Sequence, residues 1–327
     1  MGKANRAVRV TIIGLGRVGT SIGLALKQST APVYIVGHDR EPEQVRKALR
    51  LRAIDEGEWN LPRSVEGTDL VVLAVPFSEL ADTFRYIAQD LRENAVVMDT
   101  ASVKEPVLRW ATEILPAQVH FVGGHPIVRD VHMGQEHASA DLFRDEIFAL
   151  CPAPEVNAKA VQLVTDMVTA LGAQPLFLDA VEHDSMMAAV EHLPQLLALA
   201  LGRTVMGEPS WREMRKLAGG QFEAATFWGE GDPKAVVAQL MANRERVLQW
   251  LEMLRRQLAW WQQQLQALSH EPLEEAVQPL FETRSAWLTA AMTKRWERPE
   301  EPVTPMSFAD WLFGQTFVRR WRQKPSS

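Results

Sequence analysis

Two groups of residues in this chain have types and spacings suited to redox chemistry on a small alcohol. Gly14, Gly16 and Gly19 form G-x-G-x-x-G between a β-branched run, Val8–Ile13, and an apolar helical stretch. In that pattern the first glycine permits a tight turn, the second lets the backbone approach a pyrophosphate, and the third lets the helix lie against the sheet. The free N–H groups at the helix start then face the phosphates. Asp39 follows Gly19 by 20 residues, where an acid binds the ribose hydroxyls of adenosine. Its carboxylate repels a 2′-phosphate, which predicts NAD, with NADP as the lesser alternative. The adjacent Arg40 is placed to stack on adenine or to pair with a phosphate.

The second group is Ser102 and His125. Ser102 follows the strand-like run 95–99, and His125 follows Gly123-Gly124 after the run 119–122. Both fall at the carboxyl ends of expected parallel strands, where ligands bind in such sheets. An imidazole that titrates near neutrality removes an alcohol proton while hydride leaves the same carbon. Ser102 is expected to hold that ring in the needed tautomer. The bland alternative is a turn histidine with a satisfied ring. A metal site built from His125, His132 and His137 with Asp130 and Glu136 fits no recognised zinc spacing, so no metal is expected. His183-Asp184 reads as a helix start, and Cys151, without a neighbouring cation in sequence, as an inert thiol.

These residues need elements to hold them. The runs Val8–Ile13, 33–36, 69–75, 95–99 and 119–122 alternate with helical stretches, the pattern of βαβ units. The expected fold is α/β: a Rossmann-type, doubly wound parallel sheet, followed by an all-helical dimerisation domain. A proline-rich joint at 151–154 sets a nucleotide-binding domain at 1–153. A further helix and strand, 158–171 and 175–178, open a mainly helical domain at 154–298. Within it a long helix is expected from Asp232-Pro233, since no Gly or Pro follows until Pro272. Leu240, Val247, Leu254, Trp261 and Leu268 recur every seven residues, and Leu251, Leu258 and Leu265 repeat in an offset row. This period predicts helix-on-helix packing along a seam, and a dimer core is favoured over a helix buried inside one subunit. Residues 299–327 read as a linker and a short amphipathic helix from Ser307.

Composition narrows the function classes. The chain of 327 residues is 46% hydrophobic and 23% charged, enough for two domains with sizeable cores. Its net charge of -6 leaves no basic half for nucleic acid or an anionic membrane. A single cysteine excludes an internal disulfide, and no apolar run approaches the ~20 residues of a membrane span. The expectation is a cytoplasmic protein acting on a small molecule.

The chain resembles the prephenate and arogenate dehydrogenases of tyrosine biosynthesis from about residue 8 to 268. The resemblance is carried by GLGRVGTSIG at 14–23, VVLAVP at 71–76, DTASVK at 99–104 and FVGGHPIVRDVHMGQEHASADLF at 121–143. EHD at 182–184, HLPQLLALAL at 192–201 and FEAATFWGEGDP at 222–233 complete the series. It implies an NAD(P)-binding domain, a helical domain that dimerises, and a site between them. The implied reaction takes hydride from the ring carbon bearing the 4-hydroxyl to nicotinamide, while the ring carboxylate leaves as carbon dioxide. By motif match, Gly14, Leu15, Gly16, Arg17, Val18, Gly19, Asp39, Arg40, Val75 and Pro76 would hold the cofactor. His125 would deprotonate the hydroxyl, Ser102 would bond the hydroxyl or His125, and His192 would contact or support the substrate.

Three departures from the family pattern stand out. Val131 stands where an acid is usual, after Val128-Arg129 in place of a small Ala-Gly pair. Gln195 replaces a second histidine, and Phe227 falls where the substrate-clamping arginine is expected. Either Arg129 supplies the missing charge, or the pocket takes a less charged cyclohexadienol against Phe227 and Trp228. A different class, a non-catalytic NAD-binding dimer that senses a metabolite or docks a partner, is the alternative. The retained Ser102 and His125 favour the enzyme.

Overall fold

The computed structural model describes residues 7–128, 134–153, 155–228, 233–267 and 270–294. The sheet-forming part runs β1 (Val8–Ile13), α1 (Arg17–Gln28), β2 (Val33–His38), α2 (Pro42–Arg50), β3 (Glu56–Gly57), α3 (Leu61–Ser64) and β4 (Leu70–Leu73). It continues through α4 (Leu80–Ile87), β5 (Val96–Asp99), α5 (Glu105–Ile114), β6 (His120–Ile127), β7 (Ile147–Pro152), α6 (Ala158–Ala170) and β8 (Gln174–Phe177). The eight strands lie in the order β3-β2-β1-β4-β5-β6-β7-β8. All neighbours pair in parallel except β6 and β7, which are antiparallel. The order reverses between β1 and β4, the point at which open sheets of this type leave a crevice.

Alternation along each strand splits the core in two. Val10 and Ile12 of β1, Leu70 and Val72 of β4, and Val96 and Met98 of β5 pack with Ile22 and Leu26 of α1 and with Val164 and Val168 of α6. Ile13, Val71, Leu73 and Val97 face the other way, against Leu80 and Phe84 of α4 and Val107 of α5. Both faces of the sheet are thus covered, as its continuous apolar strands require.

Beyond β8 the chain is helical: α7 (Ala180–Met187), a π-helical turn (Ala188–His192), α8 (Leu193–Met206), α9 (Trp211–Met214), α10 (Gly220–Ala225), α11 (Pro233–Ala242) and α12 (Arg244–Gln266). These belong to one compact unit with the sheet, Met1–Gln266. A second unit, Ala267–Ser327, contains α13 (Glu271–Thr293) among its described residues.

Four expectations need correction. The sheet is not wholly parallel, because 147–152 forms a strand that turns back along β6. The boundary at 153/154 falls inside the sheet: α6 and β8 return the chain to pair with β7, so this layer extends to Phe177. The run 119–122 understates β6, which continues to Ile127 because β7 supplies partners beyond the end of β5. The single helix from 233 divides into two at Asn243, although helical hydrogen bonds from Asn243 to Gln239 and from Val247 to Asn243 keep the two segments in line. The linker and helix expected at 299–327, with Ser307, lie outside the described residues, as does Leu268.

Candidate active site

A cleft of about 1060 Å³ opens above the crevice between β1 and β4. At one end stands the glycine loop. Gly14 has φ +91°, and a Cβ there would lie 2.5 Å from the Ala74 carbonyl oxygen, so only glycine suits the turn. A Cβ on Gly19 would lie 1.9 Å from the Gly14 carbonyl oxygen, which fixes the close seat of α1. A Cβ on Gly16 would meet nothing within 4 Å, and this residue lines the cleft at the uncapped start of α1. The loop therefore leaves room and free N–H groups for a phosphate. Asp39 closes the arrangement: its carboxylate accepts from the Leu15 N–H at 2.7 Å and from the Glu41 N–H at 2.8 Å.

The expected cofactor residues divide by role. Gly14, Gly16, Val18, Asp39, Arg40, Val75 and Pro76 line the cleft. Leu15 is buried beneath it in the core, and Gly19 is also buried. The Arg17 side chain turns to the His137 carbonyl at 3.3 Å. Arg40 pairs with Glu79 at 2.5 Å, so its guanidinium already has an anionic partner.

At the other end of the cleft lie Ser102, His125, Glu191, Gln195, Phe227 and Trp228. The extension of β6 beyond β5 carries His125 there. Below it, a buried ion pair of Lys104 with Asp99 ties the two strand ends together. The Lys104 Nζ also donates to the Gly124 carbonyl at 2.6 Å, and the Gly124 N–H donates to Asp99 at 3.1 Å.

The tautomer of His125 follows from its neighbours. Asp184 accepts the N–H groups of Lys104 (2.7 Å) and Glu105 (2.9 Å) at the start of α5, where negative charge is favoured. The same carboxylate lies 2.9 Å from His183 Nδ1. A carboxylate only accepts, so His183 donates from Nδ1 and presents Nε2 as an acceptor. His125 Nδ1 lies 3.0 Å from that atom and must donate to it. The lone pair of neutral His125 is then on Nε2, the atom nearest Glu191, whose Oε2 is 3.8 Å away. Burial first, and then the neighbouring His183, Lys104 and His192, hold the His125 pKa well below the usual 6.5. The arrangement provides a neutral, oriented base.

This reassigns two roles. His183 sets the His125 tautomer; Ser102 does not, since its buried Oγ has no hydrogen-bond partner among the described residues. Asp184 does fix a helix start, that of α5, while its own helix α7 is capped by Asp179, which accepts from Val181 and Glu182. His192 lies behind the cleft wall, fully buried and not lining it. Asn243 Nδ2 donates to its Nδ1 at 3.2 Å and to the Asp184 carbonyl at 2.7 Å. Burial lowers the His192 pKa to about 4. Gln195 lines the cleft and donates to the Trp228 carbonyl at 3.0 Å, and Phe227 lines it as well. Arg129, Asp130, Val131 and His132 lie outside the described residues. Cys151 is buried in β7, and burial pushes its thiol up to about 12, consistent with an inert role.

Comparison with known proteins agrees with this geometry. Residues 22–176 match the model of the prephenate dehydrogenase nucleotide-binding domain, and 179–279 match that of the prephenate dehydrogenase dimerization domain. The chain belongs to the prephenate dehydrogenase family. It is an oxidoreductase of that family, 29% identical over 255 residues to the prephenate dehydrogenase of Lactococcus lactis subsp. cremoris. That match covers 76% of this chain and 69% of the relative. A probable prephenate dehydrogenase of Streptomyces niveus is 33% identical, over 76% of this chain and 66% of its own length. The chain thus spans about two thirds of each of these relatives. Among solved structures, the Aquifex aeolicus prephenate dehydrogenase in complex with hydroxyphenyl propionate and NAD+ superposes with a TM-score of 0.77 at 27% identity. The superposition covers 88% of this chain and 99% of that one. The two family models meet between 176 and 179, which agrees with a sheet that ends at Phe177.

Proposed function

We propose that this chain carries out NAD-dependent oxidative decarboxylation of a cyclohexadienyl acid of the prephenate and arogenate class, with His125 as the proton acceptor. The observation that carries this reading is the Asp184–His183–His125 series, which leaves His125 Nε2 unprotonated beside the cleft. A substituent held at Nε2 gives up its proton as the ring carbon loses hydride. Ser102, with its orphaned hydroxyl in the same wall, is assigned to bond that substituent. NAD, when bound, supplies the hydride acceptor. Gly14, Gly16 and Val18 would hold its phosphates, and Asp39 its ribose hydroxyls, which favours NAD over NADP. Arg129 is assigned to a substrate carboxylate in place of the clamping arginine absent at Phe227.

The protein is further proposed to act as a cytoplasmic homodimer through its C-terminal helices. Leu251, Leu258 and Leu265 of α12 are exposed at seven-residue spacing, an apolar row suited to a second copy. No described helix is long and apolar enough to cross a membrane.

The test is NADH formation from prephenate and from arogenate by the purified full chain. Turnover that disappears in His125→Ala, with NAD binding retained, is the expected result. Turnover that survives in His125→Ala would overturn the assignment of the base.

A further inference from the structure

Glu191 has no part in setting the base, yet its Oε2 is 3.8 Å from the atom that receives the proton. The π-helical turn places it in the cleft wall while the next residue, His192, is buried. A hydroxyl has one hydrogen, and His125 Nε2 takes it. A carboxylate at the same point would then face an oxygen gaining negative charge, which opposes the reaction. With nitrogen the sign reverses: an ammonium is positive, and an amine has hydrogens for two acceptors.

The charge of the cleft as a whole is compatible with a cation. Among the described residues that line the cleft, Asp39, Glu41, Glu79, Asp82 and Glu191 are acidic, while Arg40 is the one Lys or Arg and is paired with Glu79. No Lys or Arg among the described residues forms an ion pair with Glu191.

We propose that the ring carbon giving up hydride bears an amino group in place of the hydroxyl, and that Glu191 binds its ammonium beside His125. This rests on the cyclohexadienyl reading above. The ammonium passes one proton to His125 Nε2, the base assigned above, while the Glu191 carboxylate stays ionised and accepts another of its N–H groups. The C–H bond on the same carbon breaks, its electron pair leaving as hydride to NAD+, while the nitrogen lone pair forms a transient C=N bond. The bond from ring to carboxylate then breaks, its electrons close the aromatic ring and return the lone pair to nitrogen, and carbon dioxide leaves. Ammonium substrate and NAD+ thus give arylamine, carbon dioxide, NADH and one proton.

The experiment compares kcat/KM for prephenate, arogenate and the prephenate analogue with an amino group replacing the ring hydroxyl. The amino analogue is expected to be preferred over both. In Glu191→Gln the ratio of amino to hydroxyl substrate should fall about 30-fold, as for loss of a charged hydrogen bond, and Glu191→Asp should restore part of it. As a second readout, 3-(4-aminocyclohexyl)propionate, an ammonium at neutral pH, should bind the NAD-loaded protein more tightly than 3-(4-hydroxycyclohexyl)propionate, and Glu191→Gln should reverse that order. Preference for prephenate or arogenate, or a ratio unchanged in Glu191→Gln, would overturn the amino assignment and leave the dehydrogenase reading intact. No turnover of any of the three alongside NAD binding would overturn both.

Discussion

His183 Nε2 lies 3.0 Å from His125 Nδ1, with the two rings inclined at 73°. His183 is in turn bonded to Asp184, and Asp184 holds the start of α5. One carboxylate therefore performs two tasks. It docks α7 on the nucleotide-binding sheet, and through His183 it decides which nitrogen of His125 is basic.

Replacing His183 by Ala should lower kcat by about 100-fold, since a base free to take the wrong tautomer loses most of its effect. NAD affinity should not change, because His183 lies outside the cleft lining. Asp184→Asn should cost stability as well, because the N–H groups of Lys104 and Glu105 lose a charged acceptor. Steady-state kinetics with separate NAD titration checks both. A His183→Ala enzyme with normal kcat would show that another group orients His125.

The three glycines should separate folding from binding. Gly14→Ala places a side chain at φ +91° and within 2.5 Å of a carbonyl oxygen, so a loss of more than about 2 kcal/mol of stability is expected. The Cβ of Gly16→Ala meets no protein atom within 4 Å. This variant's melting temperature should stay near that of the wild type while NAD affinity falls at least about tenfold, because the new side chain occupies the space left for the phosphates. Thermal melts with and without NAD make the comparison, and equal effects of the two changes would contradict it.

Much of this site is legible in the sequence, for physical reasons. Gly14, Gly16, Gly19 and Asp39 lie within one βαβ unit, where local spacing dictates geometry. His125 and Ser102 are found because both follow strand-like runs. The relay to His183 is not legible, since it joins residues 58 apart through the packing of α7 on α5. Asn243 is hidden for a related reason. Heptad spacing runs straight through it, and its side-chain bonds to His192 and Asp184 join it to residues more than 50 positions away. Strand β7 is missed because its run follows a loop rather than a helix, so it does not fit the alternation that marks the others. Glu191 gives no signal on a helix that otherwise reads as apolar wall.

His192 makes stability depend on pH. Its pKa is about 4 when folded, against the ordinary 6.5 of a solvated imidazole, so below neutrality the unfolded chain binds the additional proton. Its contribution is complete above the unfolded pKa and is lost as pH falls from about 6.5 to 4. Between pH 7 and pH 5 that loss is about 2 kcal/mol. His192→Asn keeps an acceptor for Asn243 and has no titrating ring, so its own decline over this range should be smaller by about that amount. Urea melts at the two pH values test it, and parallel declines would assign the acid lability elsewhere.

The interrupted helix also sharpens the expectation for the dimer. Of the two apolar rows, Val247 is buried and Leu240, Leu254 and Trp261 are half-buried within the described chain. The offset row remains open, with Leu251, Leu258 and Leu265 at 38%, 55% and 63% exposure. Of the two rows, this one leaves more apolar surface for a second copy to cover. A glutamate in the middle of an apolar interface would be desolvated without a partner, at a cost of several kcal/mol. Leu258→Glu combined with Leu265→Glu should therefore shift the protein from dimer to monomer in sedimentation velocity. The glycine loop, Asp39 and the Asp184–His183–His125 series all come from one subunit, so the monomer should still bind NAD. A variant that stays dimeric would move the interface off α12, whereas a monomer unable to bind NAD would mean that the partner completes the nucleotide site.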